Sequence, residues 1–276
     1  MARGRKLDSL QDYQRALKNK YGLGSGRDYK PWLRIQDVKS NGTRSLIQGI
    51  KTQRIHHMLS SIESDFFYLA EFTDSVTDIR EQFPILPLGY TQKVAKTLGV
   101  KHPTHPVSRE PIIITTDQLL TIKNRENLSY HAVSVKPESE SDKQRVLEKI
   151  DIERVCWELL GVKFSYYVGN DLTRTQSRNI SWATAAFREI SYHFSNEQIE
   201  YALSILKRGQ CFIDDVCNSF IATGIASHDD SSLLIRFLIA EKYIEVDLSY
   251  NIAESGILGI EEIQLIQQRG IVNGAS

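Results

Sequence analysis

SYHAVSVKP, Ser129 to Pro137, alternates polar and apolar residues and then ends on a lysine and a proline. A period of two reads as a β-strand with one face in a core, and the proline closes it because it has no N–H to give a ladder. Tyr130, Ala132, Ser134 and Lys136 share one face, and His131, Val133 and Val135 share the other. Lys136 therefore arrives at the strand end on the face that carries Ser134. Just upstream, EPIIITTDQLLTI (110–122) is a second apolar strand, joined to LSYHAVSVK (128–136) by the polar connector KNREN, so the two read as a hairpin. Asp117 interrupts its apolar run, and an ionised carboxylate there is costly unless it is paired or holds a metal.

Working outward, the segment from Arg54 has helical spacing, with Ile55, Leu59, Ile62, Phe66, Leu69 and Ala70 at steps of three and four. Glu63 lies on the border of that stripe, aimed toward the sheet. DSVTDIREQFPIL (74–86) turns strand-like and stops at Pro84 and Pro87, and a Pro-, His- and Lys-rich loop containing KHPTHP (101–106) follows. SDKQRVLEKIDIERVCWELL (141–160) reads as a helix with Leu147, Ile150 and Trp157 on one face, and GVKFSYYVG (161–169) as a last strand. The first 50 residues are glycine-rich and basic, and YGLGSGRDYKPW (21–32) reads as a loop that settles before Trp32. The expected fold for residues 1–170 is one α/β layer structure around a mixed sheet.

Beyond a polar connector, NDLTRTQSRN (170–179), the texture becomes helical. Ser195 and Gln198 fit a capping box ahead of the stripe Ile199, Ala202, Leu203 and Leu206, which stops at Gly209. A second helix is expected from Cys211 to Thr223. A third starts near Asp229, carries Leu233, Leu234, Phe237 and Leu238, and leads into the strand KYIEVDLS (242–249). Residues 171–276 thus have the outline of a winged-helix domain.

With 276 residues, 41% hydrophobic and 25% charged, the chain is long enough for two domains and too apolar to be disordered. No run of eighteen apolar residues occurs and MARGRKLDSLQ lacks a signal-peptide core, so the expectation is a cytoplasmic protein that meets no membrane. Cys156, Cys211 and Cys217 are an odd set without a C-x-x-C pair and read as ordinary thiols. Residues 1–60 hold 13 basic and 4 acidic side chains, whereas residues 211–276 hold 3 and 10. A basic head suits phosphates, and an acidic tail suits a protein partner.

A helix glutamate, a strand aspartate and a strand-end lysine are the parts needed to hydrolyse a phosphodiester. Oxygen ligands hold magnesium, with manganese able to substitute, and the lysine orients water or neutralises the transition state. Glu63, Asp117 and Ser134-Val135-Lys136 resemble the PD-(D/E)xK restriction-endonuclease-like superfamily, although many structural strands match an aspartate followed by S-x-K. The longer pattern is more specific. DYKPWL (28–33), RIHHMLSSIE (54–63), DIREQFPILP (78–87), KHP (101–103), TTD (115–117), VKP (135–137) and LEKIDIERVCW (147–157) stand in the order of the TnsA-like endonuclease subunits of Tn-seven-like heteromeric transposases, which the chain resembles from residue 28 to about 185.

The resemblance implies a restriction-endonuclease-like domain that cuts the 5′ ends of a transposon and frees the non-transferred strand. A separate DDE transposase acts on the 3′ ends, and an AAA+ regulatory ATPase contacts the subunit. By position, Glu63 and Asp117 would be metal-binding carboxylates, the Val135 carbonyl a main-chain ligand and Lys136 the catalytic lysine. Ser134 stands where the family usually has Gln or Glu, and its shorter hydroxyl would bind a second metal weakly or through water. Arg80, Glu81 and Gln82 share a family motif and are expected to support the site. Simpler readings stand beside these: Lys136 as a solvated strand end, and Asp65 as a rival to Glu63. Adjacent His56 and His57, about 100° apart on a helix, would be surface or packing residues, and His102 and His105 loop residues near DNA. A stand-alone restriction or junction-resolving nuclease would share the core residues but need its own DNA recognition. An adaptor whose site has decayed at Ser134 would not need Glu63, Asp117 and Lys136.

Overall fold

The computed structural model describes residues 4–38, 43–125, 127–140, 142–188 and 193–264. The chain divides into two units, Met1–Asn170 and Asp171–Ser276. In the first, the order is α1 (Leu10–Lys18), β1 (Ser45–Gln48), β2 (Ile55–Met58), α2 (Ser61–Phe72), β3 (Val76–Pro84), α3 (Leu88–Thr97), β4 (Thr115–Asn124), β5 (Asn127–Lys136), α4 (Gln144–Leu159) and β6 (Lys163–Val168). Four strands form one sheet in the order β3-β4-β5-β6. The β3–β4 and β4–β5 pairs are antiparallel, and β5 and β6 are parallel, with α4 as the crossover that parallel neighbours require. The sheet is therefore mixed, as expected. The hairpin ladder runs to Asn124↔Asn127, further into KNREN than hydrophobicity indicates, because polar residues can continue a ladder at its exposed end.

Each face of the sheet has its own core. On one side Phe67 and Ala70 of α2 pack against Ile79, Leu120, Val133 and Val135. On the other, Ile152, Cys156 and Trp157 of α4 and Val94 and Ala95 of α3 pack against Leu119 and Ala132. Fully burying a Val, Leu, Ile or Phe side chain contributes roughly 1.5–3 kcal/mol. The alternation of β5 thus sorts Val133 and Val135 under α2 and turns Ala132 and Ser134 toward α4.

Several elements differ from the sequence expectation. The helical spacing from Arg54 covers a strand first: β2 pairs with β1 through Ile47↔His56, and the helix begins only at Ser61. The cause is a buried polar network. Glu81 on β3 accepts two bonds from Arg54, at 2.8 and 2.6 Å, one from the His57 N–H at 3.1 Å, and faces His56 Nδ1 at 2.9 Å. These bonds hold residues 54–57 extended, and His56 is fully buried against Phe67, which is a packing role. Burial alone would raise the Glu81 carboxyl, but His56 and Arg54 more than offset it and hold it far below the carboxylate range.

The basic head contains α1, whose buried side chains, Tyr13 and Ala16, are too few to print a stripe. Likewise α3, read as loop, buries only Thr91, Val94 and Ala95. Leu147 of α4 is 41% exposed, whereas Ile150 and Trp157 are buried as expected.

In the second unit the order is α5 (Asp171–Thr184), α6 (Asn196–Ile205), β7 (Gly209–Phe212), α7 (Ile213–Ala222), α8 (His228–Ala240), β8 (Ile244–Val246), α9 (Ile252–Ser255) and β9 (Ile257–Ile263). The sheet order is β7-β9-β8, all antiparallel, and Phe220, Leu234, Leu238, Ile244 and Leu258 sit at the centre of the core. The polar connector is in fact the start of α5, whose inward face mixes Ser177, Asn179 and Thr184 with Ile180 and Ala183: the Asn179 amide donates to the carbonyls of Leu248 and Tyr250, and its oxygen accepts from the Ile252 N–H. The Ser195–Gln198 capping box forms. The second helix starts at Ile213, later than expected, because Gln210 and Cys211 are laddered to Gly259 and Leu258.

Removing one partner of a buried pair leaves an uncompensated charge. Arg54→Ala should therefore cost about 3–5 kcal/mol in urea unfolding, and a loss below about 1 kcal/mol, the scale of an exposed pair, would contradict the role given to the Glu81 network.

Candidate active site

Asp117 stands where β4 and β5 part. The first paired residues of the hairpin are Gln118↔Val133, so beyond them the Val135 N–H has no β4 backbone partner and donates instead to Asp117 Oδ2 at 2.7 Å. The same oxygen accepts from Lys136 Nζ at 2.6 Å and from Ser134 Oγ at 3.4 Å. Lys136 Nζ also donates to the Val135 carbonyl at 2.9 Å. Its ammonium thus bridges a carboxylate oxygen and a main-chain oxygen. Burial lowers the lysine's proton affinity, but Asp117 more than offsets it and keeps the amine protonated.

Glu63 arrives from the first turn of α2. Ser60 caps the helix by accepting from the Glu63 N–H, and the Glu63 carboxylate accepts in return from Ser60 Oγ at 2.9 Å and from the Leu59 N–H at 3.1 Å. Gln118 Nε2 donates to the Glu63 carbonyl at 2.9 Å, which ties this turn to β4. Gln82 Nε2 lies 3.3 Å from both Glu63 Oε2 and Asp117 Oδ1. Glu63, Asp117, Ser134, Val135 and Lys136 are therefore gathered at one place, and Asp65 is only half-buried on α2. His102 is tied to Thr91 and the Pro103 carbonyl, and His105 pairs with Asp8.

One residue escaped the sequence reading. Glu153 of α4 is 5% exposed, hydrogen-bonds through its carboxyl with Thr116 and Ser134, and leaves Oε1 buried without a partner. Its sequence signal is an acid three residues after Ile150 and three before Cys156, on a buried stripe. Burial and the nearby Asp117 charge push Glu153 up to about 8 and Glu63 up to about 7. The site therefore holds the Asp117–Lys136 pair beside two buried carboxyls whose ionisation is disfavoured.

Among the described residues no three His, Cys, Asp or Glu side chains form a ready-made metal cage. The donors nevertheless suit a hard divalent cation. Asp117 Oδ2 and the Val135 carbonyl already share a cation, the lysine ammonium, and Glu153 Oε1 lacks any donor. Oxygen-only donors of this kind favour hard cations over softer metals.

A family profile described as "TnsA-like endonuclease N terminal" matches residues 73–169. The transposon Tn7 transposition protein TnsA of Escherichia coli is 32% identical over 218 residues, covering 79% of this chain and 78% of that protein. The chain belongs to the TnsA-like endonuclease family. In this TnsA-like chain the profile takes in Asp117, Ser134, Lys136 and Glu153, while Glu63 precedes it and owes its place to the α2 cap. No helix among the described residues is long and apolar enough to cross a membrane.

An acid whose folded-state pKa is raised contributes stability that is complete below its unfolded value, 4.5 for glutamate, and lost as pH rises through the folded value. Glu63 and Glu153 should accordingly make the metal-free protein melt at progressively lower temperature between about pH 5 and pH 8. Glu81 is depressed, so its opposite contribution is lost only on acidification. Added divalent metal should flatten the decline, since it takes the carboxylates deprotonated. A metal-free melting temperature that stays constant across this window would contradict the raised acids.

Proposed function

We propose that this protein is a magnesium-dependent DNA endonuclease that cuts the 5′ ends of a transposon, with Glu63 and Asp117 as its metal-binding carboxylates. The observation that carries the reading is the bridge from Lys136 Nζ to Asp117 Oδ2 and the Val135 carbonyl, which puts a fixed positive charge beside two oxygens suited to a metal. A divalent cation supplies, when bound, charge neutralisation at the phosphate and a more acidic water. The chain's own residues do the rest. Asp117 orients the lysine, and the lysine side chain, 28% exposed, reaches the solvent side where a phosphate would lie and offsets charge that develops there. Glu63 and Glu153, held near neutrality by burial, give up protons as positive charge enters.

Ser134 has one hydroxyl proton between two carboxyls, Asp117 and Glu153. That supports a positioning role for the serine, with Glu153 from α4 supplying the carboxylate that a longer side chain at Ser134 would have supplied. The basic first 60 residues suit the DNA backbone. The order α6, β7, α7, α8, β8 and β9 in the C-terminal unit supports a winged-helix reading. The unit's acidic charge favours docking of a DDE transposase or an AAA+ ATPase over gripping DNA.

The test is strand-specific nicking of transposon ends in the reconstituted transposase. Asp117→Asn and Glu63→Gln should each lower 5′ cleavage by at least about 10³-fold, and Lys136→Ala by about 10²–10³-fold, with 3′ processing by the partner intact. A donor joined to its target through uncut 5′ strands, a cointegrate, is the product expected in cells. Ser134→Ala should cost less than about tenfold, the scale of a neutral hydrogen bond. Deleting residues 171–276 should abolish partner recruitment. Full 5′ nicking by either carboxylate variant would end the assignment.

A further inference from the structure

We propose that Gln82 is a positioning residue: its side-chain amide fixes the spacing of Glu63 and Asp117 and thereby sets how tightly they take a metal. The inference rests on the reading of those two carboxylates as metal ligands. Gln82 falls between the paired residues Glu81↔Gln118 and Phe83↔Thr116, directly across from Asp117. Its φ is +48°, in the left-handed region, in the middle of an antiparallel strand. For a non-glycine residue such a backbone is strained and persists only where the surroundings over-determine it.

They do so here. The Gln82 carbonyl accepts from the Trp32 N–H at 3.2 Å, and the preceding Glu81 is locked by Arg54 and His56. The twist delivers a side chain only 3% exposed into the gap between α2 and β4. Every polar atom of that side chain is used. Nε2 donates to Glu63 Oε2 and Asp117 Oδ1, both at 3.3 Å, while Oε1 accepts from Thr115 Oγ1 at 2.9 Å. Two carboxyl acceptors on one side and a hydroxyl on the other decide which end of the amide is the NH₂.

The chemistry explains why an amide serves. Two buried carboxylates repel each other, and a lysine or arginine between them would cancel the charge a metal needs. A glutamate would add a third negative charge. A primary amide draws both acids together through two N–H donors and remains neutral, so the attraction for a divalent ion is kept while its ligands stay in place.

The test is calorimetric titration of manganese into the full-length protein without DNA, alongside melting in chelator. Gln82→Met keeps the length and removes the donors. It should weaken manganese binding by about tenfold or more, as loss of a group that orients metal ligands does, while lowering the metal-free melting temperature less than Arg54→Ala does. Thr115→Val, which frees the amide to rotate, should weaken binding by a smaller factor. Excess metal should restore the nicking rate of both. Wild-type or tighter affinity in Gln82→Met would overturn the proposal, and if that variant does not fold, unchanged affinity in Thr115→Val would do so. Asp117→Asn separates the two claims. If it binds manganese as well as wild type, the ligand reading fails and this inference with it; if it loses binding while Gln82→Met does not, only the inference fails.

Discussion

The structure turns on one oxygen, Asp117 Oδ2, which gathers the Val135 N–H, the Lys136 ammonium and the Ser134 hydroxyl within 2.6–3.4 Å. A carboxylate standing where a ladder partner is expected obliges β4 and β5 to part, and the parted ends make room for the other acids. Desolvating such an ion pair returns little stability by itself. The apolar clusters on the two faces of the sheet supply the stability, and α2 and α4, which carry those clusters, also deliver Glu63 and Glu153. Packing and chemistry therefore use the same helices.

Charge in the site is divided by environment. Glu81, a few residues from the centre, is as buried as the others yet strongly ionised, because Arg54 and His56 surround it. Glu63 and Glu153 lack such partners and keep their protons toward neutral pH. One acid anchors the scaffold and two remain available to a cation, a separation that follows from neighbours more than from depth of burial.

Much of this was legible in the sequence. The alternation of SYHAVSVKP fixed the face of Ser134 and Lys136, and an acid inside TTDQLL could only be paired or functional. Glu63 does face the sheet, but the helix starts later than its spacing indicates and its buried face runs through Glu63, Phe67 and Ala70 instead of Ile62, Phe66 and Leu69. What stayed hidden was hidden for physical reasons. Polar residues on a buried face, as in α5 and around His56, erase the hydrophobic period, and short helices such as α1 and α3 bury too few side chains to print one. Glu153 sat in plain view on an apolar stripe, but nothing local states that its neighbour across the gap is Asp117. The kink at Gln82 is set by contacts from Trp32, Thr115 and two acids, all distant in sequence.

A crystal of the protein grown with manganese and transposon-end DNA, with data collected at the metal's absorption edge, bears most directly on the central claim. An anomalous peak in contact with the Glu63 and Asp117 carboxylates and the Val135 carbonyl, at roughly 2.0–2.2 Å as for oxygen ligands of this type of ion, is the expected result. A peak elsewhere, with the Lys136–Asp117 bridge undisturbed and no metal between the carboxylates and the cleaved phosphate, would contradict it.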